Sequence, residues 1–178
     1  MDPETTLDPR FSSPDAQATP WTVARDQLRD SQTYLLTTVR PDGRPHQTTI
    51  AGIWLDDAFA FVTGSEERKA RNLEAGNRNV LVTAGCSGWE GMDIVLEGEA
   101  TLLTDPDRLV RLVEAFATKY DDLFGFRLVD GRIHSVDSPG DPLPLAVAPR
   151  QAFGFDKGSS AGQTRWRFSA EAGGAEQG

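Results

Sequence analysis

The sequence predicts a single α+β domain in which helices flank an antiparallel β-sheet that is closed or nearly closed. Its β-rich runs follow one another through mostly short turns, and short turns favour antiparallel neighbours because parallel strands need long crossover connections. Only a few segments show helical periodicity. No glycine-rich turn joins a strand to a helix, so a dinucleotide-binding fold is not supported.

The first half of the chain predicts a helix followed by a β-meander. Thr19 is a predicted N-cap, and Pro20 suits the first helical position. Trp21, Ala24 and Leu28 have the spacing of one helical face. Turn signals then separate three predicted strands, at residues 34–39, 46–55 and 58–63.

A short helix and two strands are predicted next. Ser65 is a predicted N-cap, and Glu66 and Glu67 suit the first turn of this helix. Gly76 suits its C-terminal end. The two strands are predicted at residues 80–84 and 93–104.

The clearest helix of the sequence begins at Asp105-Pro106. Apolar residues at helical spacing predict its buried stripe: Leu109, Leu112, Val113, Phe116 and Tyr120. The last strands are predicted at residues 145–148, 152–156 and 163–168. The domain therefore spans residues 19–169, and we expect a disordered N-terminal arm at 1–18 and a disordered tail at 170–178.

The composition narrows the class of function. The formal net charge is −9 at pH 7, and such a surface repels nucleic-acid phosphates. No apolar run is long enough to span a membrane, and the acidic N-terminus lacks the features of a secretory signal. The single cysteine, Cys86, excludes an internal disulfide. One cysteine and two histidines are also too few to make a zinc constellation. We therefore expect a cytoplasmic protein whose partners are neither nucleic acid nor membrane.

A basic cluster lies at a predicted strand-to-helix junction, residues 63–73 with the sequence TGSEERKARNL. Backbone N–H groups at a helix N-terminus, together with Arg68 and Lys69, could hold a phosphate. A solvated helix face with Glu-to-Arg pairs explains the same pattern. The pattern alone leaves both interpretations open.

Two further features could serve a ligand. Alternation along residues 164–168 places Arg165 and Arg167 on one face of a strand and Trp166 on the other. The basic face suits either an anion or a sheet edge protected by charge. Trp89 lies between glycines in the loop that joins two long strands, where it suits either a lid over a ligand or simple packing.

Short motifs occur in a recognisable order: GRPH at 43–46, GIWL at 52–55, FVTG at 61–64, RKARNL at 68–73, DIVLEGEA at 93–100, and GQTRWRF at 162–168. This order resembles the pyridoxamine 5′-phosphate oxidase-like superfamily of FMN-binding split barrels. It is more narrowly similar to the actinobacterial flavin/deazaflavin-dependent oxidoreductases of the B type. The resemblance covers residues 20 to 169.

The resemblance implies a six-stranded split barrel that forms a homodimer, with two cofactor sites at the subunit interface. The implied cofactor is coenzyme F420, a deazaflavin, or FMN. Its ring would face the backbone of residues 48–53. The C-terminal strand, either of the same subunit or of the partner subunit, would close the site. The phosphate would be held by Thr63, Arg68 and Lys69. With the Trp89 loop, the expected cofactor-binding residues are Thr48, Thr49, Ile50, Ala51, Gly52, Thr63, Ser65, Arg68, Lys69, Asn72, Trp89, Arg165 and Trp166.

The sequence departs from true pyridoxamine 5′-phosphate oxidases at two places. Gln47 stands near a position where those enzymes usually carry arginine. The run 165–167, Arg-Trp-Arg, replaces their closing arginine–x–histidine motif. Vitamin B6 oxidation is therefore not expected. Thr49 and Ala51 stand where relatives often have proline and tryptophan, which implies a roomier ring pocket.

Two functions fit these residues. The first is an oxidoreductase that uses bound F420 or FMN to transfer hydride to or from a small organic substrate, while the protein supplies orientation and electrostatics. The second is a non-catalytic protein that binds or carries a flavin, F420 or a tetrapyrrole on the same fold. No catalytic acid or base is identified from the sequence.

Overall fold

The structure is a computed structural model that describes residues 2–85, 88–135 and 140–169. These ranges contain three α-helices, namely α1 (Trp21–Asp30), α2 (Arg68–Glu74) and α3 (Pro106–Lys119), and one 3-10 helix at Pro9–Phe11. Their strands are β1 (Glu4–Leu7), β2 (Tyr34–Val39), β3 (Pro45–Ile50), β4 (Ile53–Leu55), β5 (Ala58–Gly64), β6 (Asn79–Ala84), β7 (Gly91–Leu102), β8 (Arg127–Val129), β9 (Arg132–His134), β10 (Pro142–Lys157) and β11 (Gly162–Arg167).

The main sheet of the described residues is antiparallel and has nine strands. Its order is β1-β11-β10-β7-β6-β2-β3, while β5 also pairs with β10 and β4 pairs with β5. The antiparallel α+β class is therefore confirmed. Eight strands were predicted one by one along the chain. The count becomes nine because β1 adds an edge, the predicted strand 46–55 divides into β3 and β4 around Ala51 and Gly52, and two predicted strands merge into β10.

The longest strand, β10, organises the sheet. Its first half pairs with β5, its second half pairs with β11, and β7 runs beside both halves. The predicted strands 145–148 and 152–156 are thus one strand. The register with β7 shifts between Pro149 and Gln151, and this irregularity accommodates a proline that could not donate a ladder hydrogen bond.

Two apolar cores lie on opposite faces of the sheet. The inner core joins α1 to the strands and includes Trp21, Leu28, Phe59, Phe61 and Trp166. The outer core joins α3 to β4, β5 and β10 and includes Ile53, Ala60, Leu112, Phe116 and Ala146. Both faces of β5 are buried because its alternate residues point into the two cores, and the sheet is therefore covered on both sides there.

The N-terminal segment corrects one expectation. Residues 1–18 were expected to form a disordered arm, but Glu4–Leu7 is a strand that pairs with β11, with Thr5 opposite Trp166. Farther along, the Ser13 N–H donates to the Ala161 carbonyl over 2.8 Å. The segment is polar in composition, yet the edge of β11 supplies backbone partners that local composition does not reveal. The expected tail at 170–178 lies outside the described residues.

Two helices begin differently from the sequence prediction. Thr19 does not cap α1: the N-cap is Pro20, and the Thr19 hydroxyl donates to Asp156 instead. Ser65 does not cap α2, whose N-cap is Glu67. The start of α3 is confirmed, because the Asp105 carboxylate accepts from the Arg108 N–H over 2.8 Å.

A hairpin formed by β8 and β9 follows α3 and was not predicted from the sequence. Its strands have three residues each, which is too short for a clear period-2 pattern. Among the described residues, no helix has both the length and the apolar character needed to cross a membrane.

Candidate cofactor site

A cavity of about 270 Å³ lies where the ends of β3 and β5 meet the start of α2. Five of the expected cofactor-binding residues line it: Thr49, Ile50, Ala51, Thr63 and Lys69. The opposite wall is apolar and comes from α3 and the segment after it: Phe116, Leu123, Phe124 and Phe126. The cavity therefore has one aromatic wall and one polar end, as a planar ring with a polar tail requires.

The strand β3 lies at an edge of the sheet and contributes Thr49 and Ile50 to the cavity lining. In the described part of the chain its one sheet neighbour is β2, so one edge of β3 has no ladder partner. Backbone N–H and C=O groups at such an edge can bind a ligand. Of residues 48–53, against which the resemblance places the ring, the three at 49–51 line the cavity, and Thr48, Gly52 and Ile53 do not.

The polar end of the cavity contains three hydrogen-bond donors that converge on one carboxylate. Glu67 Oε1 accepts from the Thr63 hydroxyl over 3.1 Å and from the Gly64 N–H over 2.9 Å. Glu67 Oε2 accepts from the ammonium group of Lys69. The donors expected to hold a phosphate are therefore satisfied by a carboxylate of the same chain.

Charge within this group is balanced. The Lys69 side chain is 9 % exposed and that of Glu67 is 31 % exposed. Burial by itself would raise the pKa of Glu67, but hydrogen bonds from Lys69, Gly64 and Thr63 bring that pKa below its ordinary value. Glu67 is thus ionised at neutral pH. Arg68, which was expected to act with Lys69, is exposed and does not line the cavity.

Two expected residues support the site from outside its lining. Ser65 Oγ accepts from the Asp141 N–H over 3.0 Å, and this contact joins the end of β5 to the segment that begins β10. Asn72 is buried between α2 and β2, where its Nδ2 donates to Thr38 Oγ1 over 2.9 Å. Neither residue lines the cavity.

Two buried polar atoms near Thr38 have no partner among the described residues: Asn72 Oδ1 and His46 Nδ1. Burial lowers the pKa of His46, and the positive charges of Arg40, Arg68 and Lys69 lower it further. His46 is therefore neutral at physiological pH and adds no charge beside Lys69.

Gly52 joins β3 to β4 at the expected site, behind the cavity wall. A Cβ there would lie 2.1 Å from Phe59 Cζ, so the close approach of the Phe59 ring requires glycine. The Gly52 N–H donates to the Tyr120 hydroxyl over 2.9 Å, and its carbonyl accepts from Lys119 Nζ over 3.0 Å. These contacts hold the end of β3 against the C-terminal end of α3.

The remaining expected residues lie at the other end of the sheet. Arg165 is opposite Phe153 on β10 and lines a separate cleft with Asp8 and Arg10. Trp89 is 88 % exposed in the connection between β6 and β7. Trp166 is fully buried in the inner core, where its indole N–H donates to the Thr19 carbonyl, so its ring does not face a ligand cavity.

The two groups are far apart along β10. Thr63 is opposite Leu143, and Arg165 is opposite Phe153, ten residues later on the same strand. At about 3.3 Å per residue this is a path of roughly 30 Å along the strand. In the described part of the chain, no residue of the C-terminal strand lines this cavity.

Sequence reasoning missed two parts of the site. The aromatic wall arises because Phe124 and Phe126 follow α3 and stack on each other with centroids 5.6 Å apart. The alternation of aromatic residues after the helix was the available signal. The second part is Glu67, which the sequence placed only in the first turn of a helix.

Comparison with solved structures shows the fold. A heme binding protein from Mycobacterium smegmatis aligns with a TM-score of 0.61 and 14 % identity, over 79 % of this chain and 55 % of that one. An FMN binding protein from Nostoc punctiforme, related to pyridoxamine 5′-phosphate oxidase, aligns with a TM-score of 0.57 and 18 % identity, over 85 % and 92 %. A structure described as F420 reductase aligns with a TM-score of 0.53 and 20 % identity, over 72 % and 94 %.

Comparison at the level of sequence shows the family. No curated protein matches the chain significantly. The family model described as pyridoxamine 5′-phosphate oxidase matches residues 21–146, which include β3, β5, α2 and the whole described lining of the cavity. The chain therefore belongs to the pyridoxamine 5′-phosphate oxidase family and has the FMN-binding split-barrel fold.

Proposed function

We propose that this protein is an oxidoreductase that binds coenzyme F420 or FMN in the cavity beside β3 and transfers hydride to or from a small organic substrate. The observation that carries the proposal is the meeting of the free edge of β3, the aromatic wall, and the Thr63–Lys69 donors around one cavity. The named neighbours include an FMN binding protein and an F420 reductase, which agrees with a flavin-type ligand.

The residues suit such a ligand in separate ways. The edge of β3 offers backbone groups to the polar rim of the ring, and Phe124 and Phe126 offer an apolar surface to its face. Lys69 and Thr63 offer donors to an anionic tail. The cofactor, when bound, supplies the hydride chemistry, and the protein orients it and limits access of water.

We also propose that the working unit is a homodimer. The cavity of about 270 Å³ is slightly smaller than most ligand pockets, which begin near ~300 Å³. Arg165 and the exposed Trp89 lie at the far end of the sheet. A second protomer would bring those residues over the cavity and complete it.

A non-catalytic carrier is the second candidate. Of the described residues that line the cavity, the only ionisable side chains are Glu67 and Lys69, and these are paired with each other. The lining therefore offers no unpaired acid or base. Haem fits this cavity poorly as a tetrapyrrole ligand, since the described lining has no His, Cys, Met or Tyr to bind iron.

Oxidation of vitamin B6 phosphates is not proposed. The Arg-Trp-Arg run at 165–167 stands where true pyridoxamine 5′-phosphate oxidases carry an arginine–x–histidine motif, and Trp166 at its centre is buried in the core.

The first test is a parallel titration of apo protein with FMN and F420, followed by fluorescence, with light scattering on the same samples. Saturable binding of one cofactor to a dimer supports the proposal, and the tighter ligand identifies the cofactor class. Hydride transfer to test acceptors from the reduced, bound cofactor then separates an enzyme from a carrier. Absence of binding by both cofactors would overturn the proposed function.

A further inference from the structure

We propose that the Glu67 carboxylate is an internal competitor for the anionic group of the ligand, occupying the anion-binding position formed by Thr63, the Gly64 N–H and Lys69. The inference rests on the proposed function and deepens it, because it names the residue that sets how strongly this site selects a phosphate-bearing ligand.

The geometry of the contacts carries the inference. One carboxylate oxygen accepts from both Thr63 and Gly64, over 3.1 and 2.9 Å, and the other accepts from Lys69. Backbone N–H, hydroxyl and ammonium donors that converge on two adjacent oxygens are the donor set with which proteins hold phosphate. Glu67 therefore meets these donors in the way an anionic ligand would.

Charge gives the competition its direction. Lys69 is the only cation that lines the cavity in the described part of the chain, and Glu67 neutralises it. A phosphate that approaches must either displace the carboxylate or lie beside it, and two like charges at such short range repel. The phosphate is then expected to add little to affinity while Glu67 is present.

The Glu67 side chain has a route away from these donors. It precedes α2 as the N-cap residue, and its side chain is about one-third exposed, so a rotation takes the carboxylate to solvent. Its neighbour Glu66 is exposed, lies one residue earlier on the same turn, and does not line the cavity. Glu66→Gln therefore changes the net charge by the same amount at nearly the same place.

The experiment compares FMN with riboflavin, which differ only in the phosphate, on wild type, Glu67→Gln and Glu66→Gln. We expect wild type and Glu66→Gln to bind the two flavins within about threefold of each other. We expect Glu67→Gln to bind FMN roughly tenfold or more tightly than wild type, with riboflavin unchanged. Equal changes for both flavins in Glu67→Gln, or strong preference of wild type for FMN, would overturn the inference.

A second readout does not depend on flavin. Inorganic phosphate is titrated into the three proteins while the amide resonance of Gly64 is followed by NMR. A saturable shift in Glu67→Gln at phosphate concentrations that leave wild type and Glu66→Gln unshifted supports the inference, even if no flavin binds and the proposed function fails. A Gly64 resonance that is equally unresponsive in all three proteins shows that Glu67 stabilises the local structure without competing with phosphate. This result overturns the inference even if flavins bind.

Discussion

Lys69 and Lys119 are two lysines that the fold places in different surroundings. Lys69, at the cavity, is paired with the Glu67 carboxylate. Lys119, at the end of α3, donates to the Tyr34 hydroxyl over 2.8 Å and to the Gly52 carbonyl over 3.0 Å. No carboxylate among the described residues lies within ion-pair distance of it. One ammonium group is neutralised by a charge and the other is held by neutral oxygens.

The difference shows that a buried lysine does not by itself make an anion site. Burial lowers the pKa of Lys119 to about 8, and the distant charge of Asp30 opposes this only in part. At the cavity Lys69 is paired with the Glu67 carboxylate, and hydrogen bonds keep the pKa of Glu67 below its ordinary value. The cavity can therefore exchange one anion for another, whereas the Lys119 environment favours loss of the proton.

The largest expected effect tests the backbone that holds Lys119. We expect Gly52→Ala to lower the free energy of unfolding by about 3 kcal/mol, because its Cβ would lie 2.1 Å from Phe59 Cζ and the ring is fully buried. Urea unfolding measures this. The cost is expected to be smaller when Gly52→Ala is made in a Phe59→Leu background, where the clashing ring is absent. An equal cost in both backgrounds contradicts the steric explanation.

The next largest effect tests the ion pair at the cavity. We expect Lys69→Met to lower the free energy of unfolding by about 2 kcal/mol, less than for a fully buried pair because the Glu67 side chain is 31 % exposed. The double variant Lys69→Met/Glu67→Gln is the control, and it should recover most of the loss because it leaves no unpaired charge. Failure to recover would assign the loss to packing of the lysine stem.

Lys69 also has an expected role in binding. We expect Lys69→Ala, made in the Glu67→Gln background where no carboxylate occupies the ammonium group, to weaken FMN binding by about 1.5–3 kcal/mol relative to Glu67→Gln alone, the usual contribution of a charge-assisted hydrogen bond. Fluorescence titration measures this, with circular dichroism to verify the fold. Binding as tight as that of Glu67→Gln in a folded double variant would refute the assignment of Lys69 to the phosphate.

The smallest expected effect is a pH dependence of stability that distinguishes Lys119 from Lys69. The folded pKa of Lys119, about 8, lies below its ordinary value of 10.5, so between these values the unfolded chain binds more protons than the folded one. The contribution of Lys119 to stability therefore rises with pH across this window. We expect the unfolding free energy of wild type to increase relative to that of Lys119→Met from pH 8 to pH 10. A difference that does not change with pH contradicts the lowered pKa.

The local elements of the fold follow from sequence periodicity. The predicted strand 34–39 is confirmed as β2, and Asp105 caps α3 as the sequence indicates. Leu109, Leu112 and Phe116 lie on the buried stripe of that helix. These features depend on neighbours within a few residues along the chain, and sequence patterns report such neighbours directly.

Other features depend on contacts between distant parts of the chain. Glu4–Leu7 is a strand because β11 offers it an edge, and residues 142–157 form one strand because β7 and β5 run beside it. Composition and local turn signals predicted a disordered arm and two separate strands there. Pairing energy that comes from remote partners leaves no local pattern in the sequence.

Residue patterns along the chain were enough to identify the family and the antiparallel α+β class, and they singled out Thr63 and Lys69, which both line the cavity. Only the tertiary structure decided that Glu67 is the partner of Lys69, that Trp166 belongs to the core, and that Arg165 lies at the far end of β10 from the cavity. The physical reason is that residue chemistry and periodicity show what a side chain can do. Which of its possible partners it meets depends on how the strands are paired and packed.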